Sequence, residues 1–232
     1  MVHPTDNAAA LVLARVTAGY SSRVPPVLDQ VSVHVPTTGL FRLCGANGAG
    51  KSTVIELASG YLTPWSGQVT VCGVDAASAD ARSRRRVCRT TPALYPVLTV
   101  EEHLDVACRA RGSSLGEAIA RADTYGLTPW LGREVRELST GNLRKLWFIV
   151  CTLGDFSLAL LDEPFNGLDD VTRHVMGQEI TTWSGHRAVV VVAHEPPPAL
   201  ARARDILLAP PRHLHQDGEA ARLDEVRPSR SR

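Results

Sequence analysis

Between Gly45 and Thr53 the chain reads GANGAGKST, which places three glycines, a lysine and two hydroxyls in one loop. Gly45, Gly48 and Gly50 let the backbone curl until its N–H groups point inward, and such a curl at a helix N-terminus cradles anions. The segment Gly45 to Ser52 fits G-x-x-x-x-G-K-[ST], with Ala46, Asn47 and Ala49 completing the loop. Lys51 then supplies a point charge for the β- and γ-phosphates of a nucleoside triphosphate, and Ser52, followed by Thr53, offers a hydroxyl to Mg²⁺. The context supports this chemistry: Leu40 to Cys44 reads as a short buried strand, and STVIELASG from Ser52 reads as a helix ended by Gly60.

A phosphate cradle alone does not name a reaction, so acids must. Ser157 to Leu161 (SLALL) is an apolar run suited to a strand buried on both faces, and it ends in Asp162-Glu163-Pro164. Ligands of open parallel sheets gather outside the carboxyl ends of strands. Asp162 is expected there as a holder of Mg²⁺, and Glu163 as the general base that polarises an attacking water. A second run, Ala188 to Ala193 (AVVVVA), ends in His194, expected at the same edge within reach of a γ-phosphate. Further upstream, ELSTGN (Glu137 to Asn142) precedes apolar residues at Leu143, Leu146, Trp147, Val150 and Leu153, which is helical spacing. Ser139 can cap that helix, and Gly141 leaves its first turn open to a bulky anion. One nucleotide does not need two such helix ends from one subunit. It does if two subunits sandwich it.

The elements that must position these residues follow from patterning. Leu11 to about Val74 is rich in short β-like runs broken by Gly and Pro; about Ala76 to Leu138 reads as helical. Capping boxes at Thr99–Glu102 and Ser114–Glu117 each open a periodic segment, ending near Gly112 and Gly126. From Ser139 to about Leu208 helix and strand alternate. The expected fold is α/β: a P-loop core around a mainly parallel sheet, an antiparallel β portion near the N-terminus and an inserted helical lobe. As a single domain it would span 11–211, with core at 11–75 and 155–211, lobe at 76–154, and flexible ends at 1–10 and 221–232.

Bulk properties narrow the class. The 232 residues are 44% hydrophobic and 21% charged with net charge +1, which suits a globular chain and gives no basic surface for nucleic acid. No apolar run approaches the roughly 18 residues that cross a bilayer, and the N-terminus lacks the cationic segment of a signal peptide. Five cysteines (Cys44, Cys72, Cys88, Cys108, Cys151), odd in number and without metal-like pairing, fit a reducing cytosol.

Taken in order, these stretches resemble the nucleotide-binding subunit of ATP-binding cassette (ABC) transporters, over about Leu11 to Leu208. GANGAGKST stands as Walker A, LSTGN as a variant of the LSGGQ signature, LALLDEP as Walker B, NGLD (Asn166 to Asp169) as the D-loop and His194 as the switch histidine. Tyr20 matches the aromatic that stacks on adenine, and PWSGQVTVCG from Pro64 resembles the β-hairpin after the Walker A helix. The resemblance implies ATP and Mg²⁺, head-to-tail pairing with a second nucleotide-binding domain (a copy or a paralogue), and hydrolysis that separates the pair. It also implies a separate transmembrane permease subunit, which would hold this otherwise cytoplasmic chain on the inner face of the cell membrane.

Two features depart from the family pattern. The signature has Thr140 for its first inner Gly and Asn142 for Gln. At the junction of core and lobe, where the family usually has a Gln, the chain reads Arg89-Thr90-Thr91-Pro92, and no Gln occurs between Gln68 and Gln178. That Gln reaches toward metal and water and links ATP to the membrane partner; Thr90 stands in its place. PALYPVLTVEEHL, the LSTG signature and the lack of a C-terminal extension after His194 resemble exporters of drugs, antibiotics or peptides. The alternatives are a soluble ABC ATPase of iron–sulfur cluster assembly and a regulatory ATP-binding module with weak turnover. Intact Lys51, Asp162, Glu163 and His194 speak for turnover.

Overall fold

The computed structural model describes residues 9–21, 23–209 and 227–228. The ends expected to fray therefore lie largely outside the described residues. Where they meet them, the first strand already includes Ala9 and Ala10, because Ala10 is fully buried.

Two sheets form the core. The antiparallel one comprises β1 (Ala9–Ala18), β2 (Leu28–Pro36), β4 (Ser66–Val71) and β5 (Val74–Asp75), in the order β2-β1-β4-β5. The other holds β3 (Gly39–Cys44), β6 (Arg85–Cys88), β7 (Leu158–Asp162), β8 (Ala188–Val192) and β9 (Arg204–Leu207), all parallel in the order β9-β3-β8-β7-β6; Arg227–Pro228 pairs antiparallel with β9. Every residue of β7 and β8 is buried, as expected for central strands covered on both faces. Their alternation divides the interior. Leu158, Leu160, Val190 and Val192 pack with Val54, Ile55 and Leu57 of α1 (Lys51–Ala58), whereas Ala159, Leu161, Val189 and Val191 face the core of the helical lobe.

The lobe is smaller than the 76–154 expected. After α2 (Ala79–Arg84), residues 85–88 are a strand of the parallel sheet, paired with β7 from Arg85↔Leu158 to Cys88↔Leu161. The lobe proper is α3 (Val100–Arg111), α4 (Leu115–Thr124) and α5 (Thr140–Cys151). The reason is that two arginines replace the apolar residues a strand usually shows. Arg85 and Arg86 are almost fully buried, and backbone carbonyls satisfy their guanidiniums. Arg85 donates to the Ala76 and Ser59 carbonyls, and Arg86 to those of Leu153 (2.6 Å) and Asp155 (2.7 Å). Burial pushes both down to about 10, still well above neutrality.

Local signals hold elsewhere. Thr99 and Glu102 cap α3 reciprocally, Gly112 closes it at φ 66°, and the Ser114 hydroxyl accepts from the Glu117 N–H at α4. The lobe is pinned to α6 (Asp170–Ser184) through Arg121, which lies 2.8 Å from Glu179 and within 5.2 and 5.4 Å of the ring centres of Phe148 and Trp183, themselves stacked on each other. Tyr125 donates to the same carboxylate at 2.5 Å, and burial pushes its phenol well up.

Gly60 ends the phosphate-loop helix at φ 68°, where a Cβ would stand 2.4 Å from the Ala76 carbonyl oxygen. Gly112 has φ 66° with nothing within 4 Å of that position. Gly60→Ala is thus expected to cost about 2 kcal/mol or more, and Gly112→Ala about 1, read from urea midpoints at constant slope. Equal losses would mean that the close approach at Gly60 carries no energy.

Candidate active site

Register brings the chemistry together. Asp162 pairs with Val192, Leu161 with Cys88 and Val191 with Arg42, so β3, β6, β7 and β8 end at one sheet edge. The residues leaving that edge are the phosphate loop, Arg89–Thr90, Glu163 and Ala193–His194. They surround a cavity of about 410 Å³ lined by Tyr20, Asn47, Lys51, Thr90, Glu163 and His194, with Gly48, Gly50, Ser52, Thr53 and Asp162. Gly45, Ala46 and Ala49 belong to the same loop, Ala49 with its methyl buried. A larger cavity of about 640 Å³ opens at the amino ends of the same strands, against Thr38, Ser157 and His186, and no phosphate-loop or acidic motif residue lines it.

The loop is folded around its glycines. Gly50 has φ 92°, and a Cβ there would lie 2.4 Å from Leu28, so the chain can start α1 only with glycine at that point. The Lys51 ammonium donates back to the carbonyls of Gly45 (2.8 Å) and Ala46 (3.1 Å), an exposed arrangement that phosphate oxygens can replace. Tyr20 lies across the cavity mouth. Its ring is exposed and its hydroxyl is 3.3 Å from that of buried Thr53; burial raises its pKa.

Two carboxylates face the cavity from a dry wall. Asp162 is buried, and its Oδ1 has no hydrogen-bond partner. Such an oxygen is costly unless a cation or donor meets it, so Asp162 with the Ser52 hydroxyl fits a divalent cation. Among the described residues no cluster of three or more His, Cys, Asp or Glu could hold a metal by itself. A cation here would need phosphate oxygens as further ligands, as Mg²⁺ commonly does. Glu163 has φ 50°, rare for a residue with a side chain, and its N–H donates to the Val192 carbonyl at 2.9 Å. Its Oε1 is buried without a hydrogen bond and lies 3.4 Å from Nε2 of the largely exposed His194. The pair stands beside the phosphate loop, where acid–base work on a terminal phosphate needs it.

Ser139 and Gly141 do not line this cavity. Ser139 caps α5, its Oγ accepting from the Asn142 N–H at 3.2 Å and its O–H left free to donate; Ser139 is exposed. Gly141 packs against the loop after β7, where its Cβ would be 3.5 Å from the Gly167 carbonyl. The sequence reading missed Val27 and Val192, apolar cavity walls with no signal of their own.

A family model described as ABC transporter matches residues 28–166. The taurine import ATP-binding protein TauB of Mesorhizobium japonicum is 32% identical over 209 residues, which cover 86% of this chain and 80% of that protein. ATP-binding cassette sub-family A member 7 of Rattus norvegicus is 29% identical over 79% of this chain, but this chain spans only 9% of its length. Among solved structures, an ATP binding subunit of an ABC transporter superimposes with a TM-score of 0.75 at 27% identity, covering 86% of this chain and 85% of that one.

Lys51→Ala removes the one lysine of the loop. It is expected to weaken nucleoside triphosphate binding about 10- to 100-fold, the equivalent of about 1.5–3 kcal/mol for a charged hydrogen bond, in a fluorescent-nucleotide titration. Unchanged affinity would sink the cradle.

Proposed function

This chain belongs to the ABC transporter family of ATP-binding domains, and from that premise we propose that it binds ATP and Mg²⁺ at the described cavity and hydrolyses ATP within a head-to-tail pair. Domains of this family are ATPases that energise transport, and they pair with one another and with transmembrane subunits. The observation that carries the proposal is the convergence of Lys51, Asp162, Glu163 and His194 on one cavity that excludes Ser139 and Gly141.

In this reading Tyr20 stacks on adenine, and the N–H groups of Gly45 to Thr53 with the Lys51 ammonium hold the phosphates. Ser52 and Asp162 hold Mg²⁺, which when bound neutralises charge on the β- and γ-phosphate oxygens. Glu163 orients and deprotonates the attacking water while His194 donates to the γ-phosphate. The 3.4 Å Glu163–His194 contact holds the two groups side by side. Ser139 and Thr140, exposed and outside their own cavity, close with the first turn of α5 the cavity of a second subunit, a copy or a paralogue.

No helix among the described residues is long and apolar enough to cross a membrane. From the family resemblance we assign the membrane passage to a separate permease subunit, with this chain peripheral on the cytoplasmic face. Export of a drug, antibiotic or peptide is the direction read from PALYPVLTVEEHL and LSTG. The named relative TauB is an import protein, so family membership by itself is neutral on direction.

Glu163→Gln keeps the shape of the wall but removes the base. It is expected to bind ATP normally, stall turnover and accumulate as an ATP-loaded dimer in light scattering; Ser139→Arg added to it should abolish the dimer and spare monomer binding. A dimer that survives the arginine means that the signature does not close the site. Thr90 carries its hydroxyl on Cβ, two bonds short of where a glutamine amide would reach. Thr90→Gln is accordingly expected to raise steady-state turnover, or its stimulation by the permease, by several-fold up to about 10-fold, which needs only about 1.4 kcal/mol of barrier. Equal rates with and without permease would show that this chain couples by another route.

A further inference from the structure

Thr90 lines the nucleotide cavity from the end of β6, yet its backbone is held from the signature helix. The Trp147 indole Nε1 donates to the Arg89 carbonyl at 2.8 Å, and Arg144 Nη1 donates to the Thr90 carbonyl. Both donors sit on α5 three residues apart, hence on one helix face, and Arg144 is one turn from Thr140. On its other side Arg89 leans away from α5: its guanidinium lies 4.3 Å over the Tyr61 ring and 3.5 Å from the Ser59 hydroxyl, just past the end of α1. The Arg89–Thr90 dipeptide therefore bridges the phosphate-loop helix and the signature helix. The N-terminus of α5 is fixed a second time, because Thr140 and Gly141 pack on Gly167 in the loop that follows Glu163.

We infer that Arg144 and Trp147 are positioning residues that lock the signature turn of α5 to the Thr90 wall of its own nucleotide cavity, so that a change at the γ-phosphate end reaches Ser139 through two backbone carbonyls. This inference rests on the sandwich reading above. Threonine is too short to span that distance with its side chain, whereas a main-chain carbonyl needs no reach of its own when long donors come to it. The donors suit the task. An indole offers one N–H on a rigid plane that packs against the lobe core, and a guanidinium is always charged. Arg144 Nε is buried with no hydrogen-bond partner, so the Thr90 carbonyl is the acceptor that orders this guanidinium. Neither Arg144 nor Trp147 lines the cavity, which separates their role from nucleotide binding.

The test uses the full chain carrying Glu163→Gln, in which ATP traps the dimer. Trp147→Phe keeps an aromatic ring and removes the donor; Arg144→Met removes the second bond, and Arg144→Lys restores a donor on a flexible stem. ATP affinity of the monomer, by titration of a fluorescent ATP analogue, is expected to stay within about twofold, with thermal midpoints nearly unchanged. The ATP-dependent dimer dissociation constant, by analytical ultracentrifugation, is expected to rise about 5- to 10-fold for Trp147→Phe and for Arg144→Met, and clearly less for Arg144→Lys; tenfold is about 1.4 kcal/mol. Dimer constants unchanged in all three variants would overturn the inference while leaving the sandwich intact. Loss of monomer ATP affinity and thermal midpoint in step with the dimer would overturn it in favour of a purely structural role. If Glu163→Gln alone forms no ATP dimer, the sandwich reading falls and this inference with it.

Discussion

Parallel pairing of β3, β8, β7 and β6 in level register is the interaction on which the rest of the molecule depends, because it decides which loops share an edge. A side-chain period of two means that slipping β7 by one residue against β8 would turn Asp162 to the other face and carry Glu163 away from His194. The buried apolar set of both strands resists that slip, since it would move Leu158 and Leu160 out of the α1 face and into the lobe. Core packing thereby sets the geometry of the carboxylates, although none of the core residues does chemistry.

The same sheet has to carry the lobe, and it does so with buried cations rather than with apolar contact alone. Arg86 ties the edge strand to the end of α5 through the Leu153 carbonyl, and Arg121 ties α4 to α6 through Glu179. Taking guanidiniums out of water is expensive, and their pairing here is with fixed carbonyls, a carboxylate and aromatic faces, which is the satisfied arrangement such burial demands. What this yields is direction: hydrogen bonds of fixed geometry orient the helices, where apolar contact alone would let them slide. On the proposed reading, a lobe that presents Ser139 to a second subunit gains from that constraint.

Legibility in the sequence followed the span of each interaction. The phosphate loop, the caps of α3 and α4 and the acidic strand end were readable because their determinants lie within a few residues of one another. The edge strand β6 was read as helix, since RRRVC shows charge where burial was due and its carbonyl partners lie as far away as Leu153 and Asp155. Thr90 was legible only as a missing glutamine. That the Arg89 and Thr90 carbonyls are held by Trp147 and Arg144 depends on contacts across 58 and 54 positions, and no local pattern announces them. Likewise, the strand ends place Glu163 and His194 at one edge, but no local pattern gives the 3.4 Å contact between their side chains.

The cavity wall concentrates groups that the fold leaves unsatisfied. Buried oxygens of Asp162 and Glu163 lack hydrogen bonds, Glu163 has a strained backbone, and Lys51 is turned back on the carbonyls of its own loop. A buried oxygen without a donor and a left-handed backbone are each costly, and on the proposed reading the ligands answer each feature: a cation for Asp162, a water or γ-phosphate for Glu163, phosphate oxygens for Lys51. Binding energy is then available for ordering rather than only for affinity. Thr90 lies between the cavity and the helix bearing Ser139, and the Arg89 and Thr90 carbonyls are held by α5. On the proposed reading, filling one cavity therefore steadies the surface that completes its partner's, and two half-sites become cooperative because each is built from the ends of the same rigid elements.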